Sequence, residues 1–434
     1  MNASPGRRPP VLVVGAGLAG LACAADLTAA GVPVSLLEAG DEVGGRMRTD
    51  VRDGFRLDRG FQVLNTSYPQ LKRRLRLRGL GLRPFTPGAL VHTAAGRVRY
   101  GDPTRRPADA LRLLTGGHLS PSAALSLGAL TARDLLLPAS LLRRMPDTST
   151  RSALRSWGLP EQLVEEFLRP FLSGVFLEDG LETSSRVFHL VWRSFLRGSL
   201  TLPAEGIGAV PRRLAEGLPA GCLELGTAVT ALVDGGVLLA DGSRREAAAV
   251  VVATDPGAAA RLLPGRPAAP TRTVTTYHHA CPRPPLREPT LLLDAAGRFL
   301  NTCVLTEVAP TYASDGRSLI STSVLGEDSP ERLRTLLDAL SEVYGTDAGA
   351  WEPVASLTVR GALPAMPAPW PLTRETRIAD GVHLCGDHRA TGSVQGALAS
   401  GARAAREVLH GLRPGDGPVG TPGVPAGTGN SPST

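Results

Sequence analysis

The chain has 434 residues, of which 42% are hydrophobic, and a formal net charge of +7. This length suffices for two or three domains with buried cores, and the composition excludes a fibrous or wholly disordered protein. The charge is modest for the length. Without a recognisable motif or a basic stripe with interleaved aromatic residues, it argues against nucleic-acid binding.

The first predicted elements form a βαβ unit. A buried strand, Val11–Val14, leads into a glycine turn and an Ala- and Leu-rich helix that ends at Gly31. A second buried strand follows over residues 34–37 and ends at Glu38. The apolar run after the N-terminal arginines also resembles a signal peptide, but glycines at fixed offsets and Asp26 favour a nucleotide-binding turn.

The glycine turn has the spacing Gly15-x-Gly17-x-x-Gly20. In a dinucleotide fold these glycines permit the tight turn, the approach of the pyrophosphate and close helix–strand packing. The helix N-terminus offers unpaired N–H groups to phosphate, and Glu38 is placed to accept hydrogen bonds from ribose hydroxyls. The motif predicts a dinucleotide, without separating FAD from NAD, held by Gly15, Ala16, Gly17, Leu18, Ala19, Gly20 and Glu38.

The string EAGDEVGGRMRT, which begins at Glu38, makes that distinction. It resembles the FAD-binding motif of the flavin-dependent amine oxidase superfamily, which includes monoamine oxidases, protoporphyrinogen oxidases and phytoene-type desaturases. The resemblance implies that Gly45 bends the backbone around the cofactor and that Arg46 approaches the pyrophosphate. A guanidinium suits this role because it pairs bidentately with phosphate oxygens.

Further segments resemble the same family in the same order along the chain. The resemblance implies that Gly60, Phe61 and Gln62 run past the flavin and that Val229 makes a backbone contact to adenine. It also implies that Asp387 meets ribityl or pyrophosphate oxygens. Ser393 and Val394 would begin a helix that faces the flavin ring, where a positive helix end stabilises the reduced anion.

The fold class predicted from these patterns is α/β, a Rossmann-type FAD-binding domain with an inserted α+β substrate domain. The FAD-binding domain is predicted from residues 1–104, 205–270 and 375–412. The substrate-binding domain is predicted from residues 105–204 and 271–374, and residues 413–434 are predicted to be a disordered tail.

The first insert carries helix signals and the second is rich in strand signals. Ser120 is predicted to cap a helix that has Pro121 in its first turn, and a helix beginning near Glu161 is predicted to end before Pro170. Short strands are predicted between residues 271 and 359, interrupted by one helix, Pro330–Tyr344.

A flavin accepts hydride equivalents from a C–H bond, so the protein need supply only position and electrostatics. We therefore assign no catalytic residue from the sequence. His278 and His279 are interpreted as an ordinary half-exposed pair, and His388 as a candidate for lining the pocket. Trp192 and Phe195 lie three residues apart on a predicted helix, a spacing more typical of a core than of a substrate pocket.

Two absences bear on the substrate. Amine oxidases of the superfamily typically place a lysine near the flavin and two aromatic rings around the amine. The only lysine here, Lys72, lies in a basic stretch far from the flavin motifs, and no tyrosine lies in the C-terminal motif. No cysteine occupies the family's position for covalent attachment, so we predict non-covalent FAD. Desaturation of a hydrophobic small molecule, by removal of hydride from a C–H bond, is the leading hypothesis.

Alternatives stay open for function and surroundings. The chain is compatible with an amine oxidase, with a non-redox flavoenzyme such as an isomerase or mutase, and with a non-catalytic FAD-binding protein. Five scattered cysteines without C-x-x-C spacing indicate a reducing, cytoplasmic location and no metal site. The basic stretch from Lys72 to Arg78 and the Leu- and Arg-rich insert suit either peripheral membrane contact or a solvated helix face.

Overall fold

A six-stranded sheet forms the centre of one half of the molecule. The computed structural model describes residues 9–102 and 104–412, apart from the side chain at position 110, and the predicted tail lies outside these residues. Neighbouring strands are parallel, except for the antiparallel pair at the last edge. The order is Leu223–Glu224, Val34–Leu37, Val11–Val14, Ala249–Val252, Val382–Leu384 and Arg377–Ala379.

The strand Val11–Val14, near the middle of this sheet, is buried at every position, as expected for a parallel strand covered on both faces. Two helices pack against each other beside it, Leu18–Ala29 and Val394–Leu412. Their contact depends on small residues, because a Cβ added at Gly401 would lie 2.0 Å from the carbonyl oxygen of Ala19. The βαβ unit, the α/β fold class and the C-terminal helix are thus confirmed.

A seven-stranded mixed sheet forms the centre of the other half. Its pairs are antiparallel, except for the parallel pair between residues 292–294 and 88–93. The two longest strands have 11 and 13 residues, so the prediction that short strands dominate here was wrong for them. The order is Glu352–Pro364, Thr271–Cys281, Ser318–Leu325, Asn301–Val304, Leu292–Asp294, Gly88–Thr93 and Gly96–Gly101.

The remaining strands form three small sheets. They are Thr49–Arg52 with Phe55–Asp58; Leu64–Asn65 with Leu200–Leu202 and Arg83–Pro84; and Val229–Val233 with Gly236–Leu239 and Arg244–Glu246. The remaining α-helices are Pro69–Arg74, Pro107–Thr115, Pro121–Leu136, Ala139–Leu142, Thr150–Ser156, Glu161–Leu163, Arg169–Phe176, Ser185–Arg197, Ala209–Ala215, Pro256–Leu262, Leu305–Val308 and Pro330–Tyr344. Within residues 9–102 and 104–412, none of the helices has the length and apolarity needed to cross a bilayer.

Helix boundaries agree with the capping signals, with one exception. Ser120 accepts a hydrogen bond from the backbone N–H of Ala123, as a cap should, and Pro330–Tyr344 has the predicted bounds. The helix from Glu161 does not end before Pro170, so that prediction was wrong. A π-helical turn, Val164–Leu168, precedes Arg169–Phe176. This wider turn changes which carbonyl groups face the proline, and the chain therefore continues as a helix past Pro170.

Strand pairing crosses one of the predicted domain boundaries. Gly88–Thr93 and Gly96–Gly101 belong to the seven-stranded sheet, although they precede residue 104. Leu64–Asn65 pairs with Leu200–Leu202, which joins residues predicted to lie in different domains. Local patterns could not show these pairings because they form between distant parts of the chain. We propose the same two-domain division with the first boundary near residue 87.

The pair His278–His279 is buried, not half-exposed as predicted. Both side chains are almost fully buried in an inner strand of the seven-stranded sheet, and the ring of His279 lies against Trp351. Burial lowers the pKa of His278 to about 3, helped by the neighbouring His279, and burial lowers the pKa of His279 to about 4. Both rings are therefore neutral in the folded protein at physiological pH.

These two histidines predict an acid-sensitive fold. Because their folded-state pKa values lie below the unfolded value, the unfolded chain binds more protons, and stability falls as pH decreases from about 6.5 towards 4. Each histidine contributes a slope of at most about 1.4 kcal/mol per pH unit. Urea unfolding at pH 7, 6 and 5 measures the slope. His279→Gln should reduce it, and an unchanged slope in that variant would contradict the assignment.

Candidate functional site

One cavity of about 920 Å³ is lined by segments of both halves of the molecule. This volume lies near the upper end of the range for ligand pockets, about 300–1,000 Å³. The cavity collects residues that are far apart in the sequence. The sequence-predicted site residues that line it are Gly15, Gly17, Leu18, Ala19, Glu38, Gly45, Arg46, Gly60, Phe61, Gln62, Val229, Asp387, Ser393 and Val394.

Two predicted site residues do not line the cavity. Ala16 is fully buried, and its N–H donates a hydrogen bond to Glu38 instead. Gly20 lies behind the turn, where an added Cβ would be 1.9 Å from the carbonyl oxygen of Gly15. Gly20 therefore serves helix–strand packing, as expected for the third glycine of the motif.

The N-terminus of the helix Leu18–Ala29 faces the cavity without a cap. Its first residues are buried, and no side chain in the described part of the protein accepts a hydrogen bond from its first turn. A buried helix end leaves N–H groups unpaired and carries a partial positive charge, so it needs a ligand such as phosphate. An added Cβ at Gly17 meets no atom within 4 Å, so the space in front of this turn is open.

Glu38 is held at the end of its strand by two backbone groups. Its carboxylate accepts hydrogen bonds from the N–H of Ala16 at 2.7 Å and from the N–H of Gly40 at 2.9 Å. These bonds fix the side chain at the cavity wall. Carboxylate oxygens have further lone pairs, so Glu38 can still accept from ribose hydroxyls.

Arg46 and Asp387 form an ion pair at the cavity wall. A guanidinium nitrogen of Arg46 lies 2.6 Å from the Asp387 carboxylate, and another donates to the carbonyl oxygen of Ala362 at 2.9 Å. Burial by itself lowers the pKa of Arg46, but the Asp387 carboxylate outweighs burial and raises the pKa above the ordinary arginine value. The pair joins the second flavin motif to the C-terminal one.

The segment Gly60–Gln62 connects this pair to the seven-stranded sheet. The side chain of Gln62 donates to the carbonyl oxygen of Arg46 at 2.7 Å, and the N–H of Phe61 donates to the hydroxyl of Thr276 at 3.2 Å. On the opposite side, the Ser393 hydroxyl accepts from the N–H of Gly396 at 3.0 Å at the start of the C-terminal helix. A second helix N-terminus is therefore presented to the cavity.

The end of the cavity formed by residues 171–200 and 274–323 was missed by sequence analysis. We call this end the substrate chamber. Phe171 and Val175 are four residues apart on one helix, and Val191 and Phe195 on another, so helical spacing could have indicated these walls. The chamber is lined by Phe171, Gly174, Val175, Phe176, Leu177, Val191, Phe195, Leu200, Val274, Leu291, Leu293, Asn301 and Ser323.

Several other residues considered in the sequence analysis differ in whether they line the cavity. Trp192 lies in the hydrophobic core as predicted, whereas Phe195 lines the chamber, contrary to the core interpretation. His388 does not line the cavity; its ring is buried beside Gly386, and burial lowers its pKa to about 4. Lys72 is exposed on the helix Pro69–Arg74 and is not a lining residue.

Comparison with known proteins gives the family. The model of the family "Flavin containing amine oxidoreductase" matches residues 18–409, so the chain belongs to this family. The match confirms the predicted superfamily and a flavin-dependent oxidoreductase. The buried uncapped helix end, the open turn at Gly17 and the basic side chain of Arg46 fit a flavin dinucleotide.

Individual relatives show no single substrate. Protoporphyrinogen oxidase 2 of Arabidopsis thaliana is 28% identical over 41% of this chain and 34% of its own length. Phytoene desaturase of Cercospora nicotianae is 30% identical over 21% of this chain and 16% of its own. These matches thus span about a third or less of the relatives' length.

A solved structure shows the same fold over nearly the whole chain. Cyclohexylamine oxidase from Brevibacterium oxydans aligns with a TM-score of 0.68 and 19% identity, covering 94% of this chain and 100% of that protein. At this identity the likeness concerns the fold. It confirms the predicted α/β fold.

Proposed function

We propose that this protein binds FAD non-covalently and dehydrogenates an uncharged, apolar small molecule by removing hydride from a C–H bond. The observation that carries the proposal is the lining of the substrate chamber, in which none of the described residues is charged. An ammonium or carboxylate buried there would lack an oppositely charged partner among the described lining residues, which is costly in an apolar environment. A neutral apolar molecule instead gains from the burial.

Different residues would bind the cofactor and the substrate. The open N-terminus of the helix Leu18–Ala29 and Arg46 would hold the phosphates, and Glu38 the ribose. Bound flavin supplies a two-electron acceptor for a C–H bond. The chamber side chains exclude water and orient the apolar skeleton, and the helix end at Val394 offers positive charge to the flavin side of the cavity.

Non-covalent binding is supported by the cavity wall. The five cysteines are buried as free thiols, and no described residue that lines the cavity is a cysteine or a histidine. Denaturation of purified protein should therefore release all its flavin into the soluble fraction. Flavin that stays with the precipitated polypeptide would contradict this part of the proposal.

Anaerobic flavin reduction tests the proposed reaction. Holoenzyme mixed with uncharged cyclic alkenes and ketones should lose flavin absorbance, whereas primary amines of the same carbon skeleton should leave it unchanged. Bleaching by the amines alone would favour an amine oxidase and overturn the proposal. Turnover that occurs only after chemical pre-reduction and consumes no acceptor would favour an isomerase or mutase.

We also propose a reducing, cytoplasmic location with contact at an anionic membrane surface. Free cysteines support the location. Exposed leucines support the contact, because basic and apolar side chains together favour anionic lipid surfaces. These leucines lie on three consecutive helices, of which the first two also carry an arginine each; they are Leu111, Leu114, Leu125, Leu136 and Leu141.

A further inference from the structure

The substrate chamber contains one amide whose oxygen has no hydrogen-bond partner. Asn301 begins a strand of the seven-stranded sheet and lines the chamber. It is only 7% exposed, and no group in the described part of the chain bonds to its Oδ1 atom. Leaving a buried polar atom unpaired is costly, so an unpaired amide on a side chain that lines a cavity points to a ligand contact.

The polar neighbours of Asn301 are already engaged. Ser323 is its cross-strand partner, and the Ser323 hydroxyl lies 3.0 Å from that of Thr276. Thr276 in turn accepts from the N–H of Phe61. Of the polar side chains Asn301, Ser323 and Thr276, only Asn301 therefore has an amide that stays available to a substrate.

A helix glycine leaves room beside the amide. Gly174 lies on the helix Arg169–Phe176 and lines the chamber. A Cβ added there would lie 3.0 Å from the Nδ2 atom of Asn301, closer than most real contacts of a Cβ atom. A methyl group at position 174 would thus crowd the amide of Asn301, and it would not change any residue of the flavin motifs.

We propose that Asn301 recognises a neutral oxygen on the substrate, so that the substrate is an apolar molecule carrying a hydroxyl or carbonyl group. This inference rests on the proposed function. A neutral amide donates and accepts hydrogen bonds, which matches hydroxyl and carbonyl groups, whereas no lining charge of the chamber matches an ammonium or a carboxylate. A site built to bond such an oxygen also rejects analogues that lack it.

The inference is tested by binding a matched series of compounds to the holoenzyme: 2-octanone, 1-octanol, octylamine and octanoate. Binding is measured by changes in flavin absorbance and by calorimetry. Wild type should bind the ketone and the alcohol at least tenfold more tightly than the two charged compounds. Asn301→Leu should weaken binding of the ketone and alcohol about tenfold. Equal affinities in wild type and Asn301→Leu would overturn the inference, as would a wild-type preference for the amine or the carboxylate.

Two further variants control for folding. Thr302→Val removes a buried hydroxyl from the adjacent position, where it bonds Thr322 and Tyr344 away from the chamber lining, and it should leave the octanone affinity unchanged. Gly174→Ala should weaken octanone binding while full flavin content is retained, which keeps the test open if Asn301→Leu does not fold. Loss of octanone binding in Thr302→Val but not in Gly174→Ala would count against the inference.

The experiments can refute the proposed reaction and the proposed role of Asn301 independently of each other. Selective binding of the ketone without flavin reduction by any neutral compound would remove the proposed reaction and keep Asn301 as a recognition residue. Flavin reduction by neutral compounds with no effect of Asn301→Leu would remove the inference alone.

Discussion

Gly17→Val should abolish flavin binding while leaving the apoprotein folded. At position 17 the backbone has φ −71° and ψ 178°, an extended conformation that valine adopts readily, and a Cβ there meets no protein atom within 4 Å. The added side chain therefore occupies the space in front of the uncapped helix N-terminus, where we place the pyrophosphate. We expect FAD affinity to fall at least hundredfold, about 2.7 kcal/mol.

The measurement is the bound flavin per polypeptide, together with FAD titration of the apoprotein. Gly128→Val is the matched control, since Gly128 lies in the helix Pro121–Leu136 and its Cβ also meets nothing within 4 Å. The control should retain its flavin. Full flavin occupancy in Gly17→Val would show that the phosphates bind elsewhere.

Asp387→Ala should destabilise the protein and weaken FAD binding together. The substitution leaves the guanidinium of Arg46 without its carboxylate partner in a site where the side chain is 31% exposed. Removing one partner of a buried ion pair costs about 3–5 kcal/mol, and partial solvent access lowers that to on the order of 2–3 kcal/mol. Asp387→Asn should be milder because it keeps an oxygen that accepts from Arg46.

Urea unfolding of the apoprotein and FAD titration measure the two effects of Asp387→Ala. Asp380→Ala provides the comparison, because Asp380 pairs with Arg377 on the surface with a side chain that is 97% exposed. We expect that surface change to stay within about 0.5 kcal/mol of wild type. If Asp387→Ala were equally mild, the ion pair would have no structural role.

Local sequence patterns sufficed to predict the glycine turn and the position of Glu38, which line one part of the cavity. Gly15, Gly17 and Glu38 lie within one βαβ unit, whose turn and spacing are determined over a short stretch of chain. The family resemblance then implied Arg46 and Asp387, whose side chains the fold brings to within 2.6 Å although they lie 341 positions apart in the sequence. Their mutual ion pair was not predicted, because neither motif alone states which partner its side chain meets.

Sequence patterns and the family resemblance were enough to predict the α/β class, the flavin family and fourteen of the residues that line the cavity outside the chamber. Only the tertiary structure showed the substrate chamber, the burial of His278 and His279, and the unpaired amide of Asn301 in the chamber lining. The physical reason is the range of the interactions. Turns and helix ends are governed by neighbouring residues, whereas the chamber arises where two helices meet a sheet whose strands pair across long stretches of chain.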